Sequence, residues 1–254
     1  MKENKLKKRI AQNKPCFGVL SPTIDPIICE YIGLTGFDYY MMDGEHGTIT
    51  PSDITHLIRA CELTDCTPLA RVNTVDPKLI LQFMDAGIMG VMIPGISSVS
   101  EIKEIIHAVK YPPIGKRGLG PVRASNYMQG KMSQEEYIHF SNEQTLILPQ
   151  IESIEGVENL EAMCAIPEVD GFIIGPTDLS MSMGFYDGPA HKEVTEMLDK
   201  IFTTILNSGK FFGTVATTQE QAEELIDKGA CMILNSVQGL IKIQGNHFLK
   251  ARRD

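Results

Sequence analysis

The chain has 254 residues, 43% of them hydrophobic, no tryptophan and a net charge of −9. That length suits two average domains or one α/β barrel, and the composition supports a large core. The acidic balance excludes nucleic acid or an anionic membrane as the main partner, because both demand a cationic face, and no stretch approaches the ~18 uninterrupted apolar residues of a membrane span.

The basic run from Lys2 to Lys14 includes Glu3 and lacks an apolar segment, so it is not a secretory signal and predicts a solvated first helix. Phe17 to Leu20 is a short apolar run closed by Ser21-Pro22, and Ile24 to Leu34 reads as a helix with Pro26 in its first turn. A second strand, Asp38 to Met42, runs into the glycine-bracketed loop Asp43-Gly44-Glu45-His46-Gly47. Pro51 opens the next helix. Pro68 to Val72 is a third strand, Val75 to Ala86 a helix stopped by Gly87, and Gly90 to Ile93 a fourth strand.

Ser97 to Val109 is an amphipathic helix with a Ser-rich start. Residues 111–131 then break the rhythm, and their glycines, prolines and arginines suit an ordered lid folding over an anion. Ser133 to Phe140 is a short extra helix. Strands five to eight are Leu146 to Ile151, Gly171 to Ile174, Phe211 to Val215 and Cys231 to Leu234. Helices at 153–164, 191–206 and 219–226 separate them, and a last helix lies within 238–250. Eight strand–helix units in strict alternation, with one composition regime, predict a single-domain (β/α)8 TIM barrel over residues 1–254. A doubly wound sheet would favour a G-x-G-x-x-G after the first strand, and none is present.

On a barrel the C-terminal strand ends converge on one mouth. Here they carry Asp43, Glu45, His46, Arg71, Gln150, Glu152, Gly175 and Asp178. Glu152 and Asp178 either cap the helices that follow them or hold a hard divalent cation, which takes one or two carboxylates and leaves its other positions to water and substrate. Arg71 either stabilises a developing oxyanion or pairs internally with Asp43 or Glu45. His46 is either a general base or a structural histidine. No lysine lies in a predicted strand, which removes a Schiff-base nucleophile; Lys210 precedes strand seven at the opposite end. The loops after strands seven and eight lack the glycines of a barrel phosphate site, so a carboxylate substrate is favoured over a sugar phosphate. The six cysteines, Cys16, Cys29, Cys61, Cys66, Cys164 and Cys231, form no C-x-x-C pair and read as reduced thiols in a cytoplasmic protein.

As a set, five stretches resemble the HpcH/HpaI family of metal-dependent class II pyruvate aldolases. They are Phe37-Asp38-Tyr39 with Asp43-Gly44-Glu45-His46, Ala70-Arg71-Val72, Tyr111-Pro112-Pro113 with Gly115-Lys116-Arg117-Gly118, Gln150-Ile151-Glu152-Ser153, and Gly175-Pro176-Thr177-Asp178-Leu179-Ser180. The resemblance implies a divalent metal (Mg2+, Mn2+ or Co2+) on Glu152 and Asp178, with Gln150, Gly175, Thr177 and Asp178 contacting a 2-oxo acid. It implies that Arg71 stabilises the enolate and that His46 is the base, made more basic by Asp85, which the residues alone mark as an ordinary helix position. The implied reaction is reversible aldol cleavage of a 2-oxo-4-hydroxy acid to pyruvate and an aldehyde, by a homo-oligomer, a hexamer. A citramalyl-thioester lyase and a non-catalytic oxo-acid-binding barrel are the alternatives. The chain departs from the family pattern at Tyr39, where tryptophan is frequent, and at Asn235-Ser236-Val237, where an acidic segment is expected.

Overall fold

The computed structural model describes residues 2–252. Its elements follow in order as α1 (Lys5–Ile10), β1 (Cys16–Ser21), α2 (Pro26–Leu34), β2 (Tyr39–Asp43), α3 (Ile54–Leu63), β3 (Thr67–Arg71), α4 (Pro77–Ala86), β4 (Gly90–Ile93) and α5 (Val99–Val109). A 3-10 segment at Arg123–Met128 precedes α6 (Gln134–Gln144), β5 (Leu146–Ile151), α7 (Ile154–Glu158), α8 (Leu160–Cys164) and β6 (Gly171–Ile174). The chain then forms α9 (Pro176–Ser182), α10 (Lys192–Asn207), β7 (Phe211–Val215), α11 (Gln219–Asp227), β8 (Met232–Ser236) and α12 (Val237–Leu249). The eight strands close in sequence order into a parallel barrel, with β1 pairing both β2 and β8. The expected (β/α)8 architecture is therefore the observed one.

Burial on both faces explains why these strands read as nearly continuous apolar runs. Tyr39, Met41, Leu69, Met92, Leu146, Leu148, Ile173, Met232 and Leu234 fill the barrel, while Tyr40, Met42, Ala70, Val91 and Ile147 belong to the separate layer beneath the helices. Tyr39 is the largest interior filler. Its ring lies over Gly18, where any Cβ would overlap it, and its hydroxyl reaches past β1 to donate to the Ile233 carbonyl of β8 at 3.0 Å. A tyrosine thus occupies this central position through contacts to both β1 and β8.

The helix entries follow local chemistry. Asp76 accepts from the backbone N–H of Lys78 and Leu79 with Pro77 opening α4, and Ser98 and Glu101 form a reciprocal capping box on α5. Asn235-Ser236-Val237 is a helix entry as well: Ser236 Oγ accepts from the Gly239 N–H at 2.9 Å.

Three details correct the expectations. The first helix is not simply solvated: Leu6 is 1% exposed and joins the interior cluster, and the Asn4 amide donates to the carbonyls of Met89 and Gln144. Leu6, with the partly buried Ile10 of the same basic run, packs against the barrel floor. The loop at 111–131 is ordered but is no lid on this chain's mouth. It follows the C-terminal end of α5 and leads through α6 to the start of β5, which puts it at the floor end. There Lys110 Nζ donates to the carbonyls of Asn142 and Thr145. Helix α9 starts at Pro176, before the position after Asp178 where the sequence allowed a helix, and its seven residues carry too little periodicity to fix that start.

Candidate functional site

The β2–β3 register sets Asp43 beside Arg71. Both continue the inward-facing rows, Tyr39-Met41-Asp43 and Leu69-Arg71, up to the mouth. Arg71 donates from Nε to Asp43 Oδ1 at 2.8 Å and from Nη2 to Asp43 Oδ2 at 2.7 Å, and its Nη1 lies 2.8 Å from Glu45 Oε2. The internal pairing considered for Arg71 is thus present with both acids at once. A guanidinium has five N–H donors, so two remain for a ligand. Burial pushes the Asp43 carboxyl up, but the Arg71 fork and the N–H groups of Glu45 and His46 outweigh it and hold the group below its ordinary value.

His46 sits on the loop after β2. Its N–H is bound by Asp43 Oδ1 at 3.2 Å, while its imidazole is 70% exposed and lies 3.9 Å from Glu45 Oε2. The ring is free to meet a substrate or a second protein surface rather than locked in a structural network.

Across the mouth, Glu152 follows β5. Its Oε1 accepts from the Gly95 N–H at 2.7 Å, and its Oε2 accepts from the Gln150 amide. Burial and then the Asp178 carboxylate raise Glu152 to about 7, with Glu45 adding to the rise and the Gly95 N–H and Arg71 opposing it. Gly175 makes room for this cluster: a Cβ there would stand 2.6 Å from Glu152 Oε2 and 2.8 Å from the Gln150 amide nitrogen. The Gln150 Oε1 is buried without a partner. Helix α9 has no side-chain cap at Gly175, Asp178 lies in its first turn, and Thr177 beside it contributes a carbonyl to Ser180 Oγ at 2.7 Å.

The structure therefore brings together Glu45, His46, Arg71, Gln150, Glu152, Gly175, Thr177 and Asp178 at one end of the barrel. Asp85 stands apart. It lies in the last turn of α4, toward the floor, and takes the Arg117 guanidinium at 2.8 Å. Among the described residues no hydrogen bond or ion pair joins it to His46. The sequence offered Asp43 as a partner for Arg71, but not the Gly95 N–H as a Glu152 anchor. The period-two rows ending in Asp43 and Arg71 carried the first signal; nothing local carried the second.

Asp178 and, more weakly, Glu45 are the carboxylates that act on Glu152, and Glu45 is already engaged by Arg71. Among the described residues no group of three or more His, Cys, Asp or Glu is gathered as a metal cage. Also among them, no helix is long and apolar enough to cross a membrane.

The model of the family described as HpcH/HpaI aldolase/citrate lyase matches residues 17–244. A hydroxypyruvate/pyruvate aldolase from Pseudomonas aeruginosa is 32% identical over 235 residues, covering 91% of this chain and 85% of that protein. A 5-keto-4-deoxy-D-glucarate aldolase from Escherichia coli is 33% identical over 233 residues, covering 91% and 89%. The crystal structure of an HpcH/HpaI aldolase from Desulfitobacterium hafniense superposes with a TM-score of 0.89 at 26% identity, covering 98% of this chain and 97% of that one.

Proposed function

Because this chain belongs to the HpcH/HpaI aldolase/citrate lyase family, we propose that it is a carbon–carbon lyase that reversibly cleaves a 2-oxo-4-hydroxy acid to pyruvate and an aldehyde. The observation that carries this reading is the charge deficit around Glu152: a half-buried carboxyl raised to about 7 beside a second carboxylate and an unpartnered amide oxygen. That donor set fits a hard divalent cation such as Mg2+, Mn2+ or Co2+, which binds through one or two carboxylates and retains open positions. Glu152 and Asp178 would hold the ion. When bound, it supplies Lewis-acid polarisation of a 2-oxo group.

The protein's own residues divide the remaining work. Gln150, Gly175 and Thr177 line the place of the oxo acid next to Glu152 and Asp178. His46 takes the proton of the 4-hydroxyl, and the bond between C3 and C4 breaks. Its electron pair passes into the pyruvate enolate, whose negative charge is met by the two free N–H groups of Arg71. Asp43 holds the planar fork in place, so the charge stabiliser is oriented before the substrate arrives.

The proposed Asp85–His46 partnership requires a second copy, because within one chain Asp85 is directed to the floor end. A homo-oligomer, such as the hexamer, answers this need and also the apolar surface of the last helix. Ile241, Ile243, Phe248 and Leu249 on α12 are 45–76% exposed, and Ile27, Tyr31 and Leu34 on α2 are 61–74% exposed. The six free thiols fit a reducing compartment such as the cytoplasm.

The test is pyruvate formation across a panel of 2-oxo-4-hydroxy acids, with and without added Mg2+, Mn2+ or Co2+. Full activity after exhaustive chelation would overturn the metal assignment, and no pyruvate from any member would overturn the reaction.

A further inference from the structure

At the floor end, far from the mouth, the chain opens a cavity of about 420 Å3 between the ends of α3 and α4 and the 3-10 segment. Its wall includes Lys2, Arg59, Glu62, Met89, Arg117 and Arg123. Four cations in one small cavity run against the charge of the whole chain, which is −9. Two of the four are balanced: Arg123 Nη2 by Glu62 at 2.6 Å, and Arg117 by Asp85 at 2.8 Å. Arg59 and Lys2 have no ion-pair partner among the described residues; Lys2 reaches only the Glu62 carbonyl, at 3.4 Å. The cavity therefore holds a surplus of two positive charges.

Arg117 and Arg123 are built in, while Arg59 reaches the cavity from an exposed position. Arg117 is 4% exposed, its guanidinium lies 4.6 Å from the centre of the Tyr111 ring, and its Nε has no hydrogen-bond partner. Arg123 is anchored by donating Nη1 to the Ala86 carbonyl at 3.2 Å. A fixed planar fork suits carboxylate and phosphate oxygens, which it meets with two parallel N–H bonds. The volume is at the small end of ligand pockets, and the surplus charge asks for an anion.

We propose that this floor cavity is a second ligand site, for a small organic anion bearing phosphate or carboxylate groups, held by Arg59, Arg123 and Lys2 over the fixed Arg117. Within one chain the site lies at the opposite end of the barrel from the mouth, and its only link to the proposed aldol chemistry is Asp85, which holds Arg117.

The full-length chain is titrated calorimetrically, in the presence of Mg2+, with inorganic phosphate in one arm and succinate in the other. One arm or both should show saturable binding at one site per chain, with a Kd of ~1 mM or tighter. Which arm binds more tightly names the oxyanion. Arg59→Ala, at an exposed position that leaves the fold alone, should weaken binding about tenfold or more, the loss expected of a charge-assisted hydrogen bond. Arg123→Lys should weaken it similarly, since it keeps the charge and loses the fork. Glu62→Gln, which releases Arg123 Nη2, should tighten it. Glu152→Gln should leave it unchanged. Absence of saturable binding in both arms would overturn the proposal. So would Arg59 and Arg123 variants that bind like the parent, or loss of binding in Glu152→Gln, which would move the anion to the mouth.

Discussion

Replacing Glu152 by glutamine should make the metal-free barrel more stable while destroying its activity. Burial and the Asp178 carboxylate carry the Glu152 carboxyl from 4.5 to about 7. At 1.36 kcal/mol for each pH unit, a fully sheltered carboxylate would cost the fold about 3.4 kcal/mol once ionised. Glu152 is only half-buried, and solvent screening brings this to about 1–2 kcal/mol. Because the folded value is the raised one, this stability is present in full below 4.5 and is lost as the pH climbs through about 7. In chelator, the parent should therefore lose ~1–2 kcal/mol relative to Glu152→Gln between acid and mildly alkaline solution. For a chain of this length that corresponds to ~2–8 °C in melting temperature. Thermal denaturation of both proteins across a pH series measures it. Added Mg2+ or Mn2+ should lift the parent above neutrality and leave the variant where it was. Asp178→Asn should reproduce the effect at smaller size, because its charge is the second cause of the shift and burial the first. Parallel pH profiles for parent and Glu152→Gln would refute the reasoning, since the mouth would then carry no charge deficit for a cation to relieve.

Three further outcomes are expected. Asp43→Asn should destabilise the protein by about 3–5 kcal/mol in urea unfolding, because it strips a buried guanidinium of its bidentate partner; a change below 1 kcal/mol would mean that Glu45 alone suffices. Arg71→Ala should abolish both exchange of pyruvate methyl protons in D2O, followed by NMR, and retro-aldol cleavage. His46→Ala should slow cleavage by about 10²–10⁴ and spare exchange relatively more, and the reverse pattern would exchange the two roles. Light scattering at micromolar concentration should give a multiple of the chain mass, reduced by Phe248→Asp on the exposed face of α12; a monomeric parent would remove the second copy that the Asp85–His46 pairing requires.

The barrel was legible because each strand is buried on both sides and so spells a short apolar run bounded by turn residues. Four strands, β4 to β7, begin and end where the sequence puts them. The ends of β1 to β3 and β8 move by a residue or two, as strands acquire polar mouth residues such as Asp43 and Ser236 that hydrophobicity cannot assign. The helix expected over 153–164 is divided at Asn159 into α7 and α8, a break that periodicity passes over. At the mouth, residue types and strand-end positions brought most of the cluster forward. What they could not give was direction along the barrel axis for residues on helices. Asp85 carries the same carboxylate wherever it sits, and only the course of α4 from mouth to floor shows that it faces away from His46 of its own chain. The floor loop is the companion case: its glycines and arginines announce an ordered, anion-friendly segment, but which end of the barrel it serves is decided by where α5 stops.

The seam between β1 and β8 joins Cys16–Leu20 to Met232–Ser236, so the first strand to leave the ribosome waits for the last before its second edge is paired. The interior tyrosine of β2 waits as well, since its hydroxyl finds its acceptor only when Ile233 arrives. Through nearly the whole of synthesis the nascent chain therefore carries an open, apolar strand edge, the kind of surface that sticks to another copy of itself. The first helix adds to the delay, because Lys7 pairs with Asp170 at 2.7 Å, just before β6, and cannot seat until most of the barrel exists. Circular permutation that opens the chain elsewhere, for example in the loop between α10 and β7, would make β1 and β8 neighbours in synthesis. It should move the late-closing seam to β6 and β7 rather than abolish it, because a closed barrel leaves the outer edge of its first strand open until its last strand arrives.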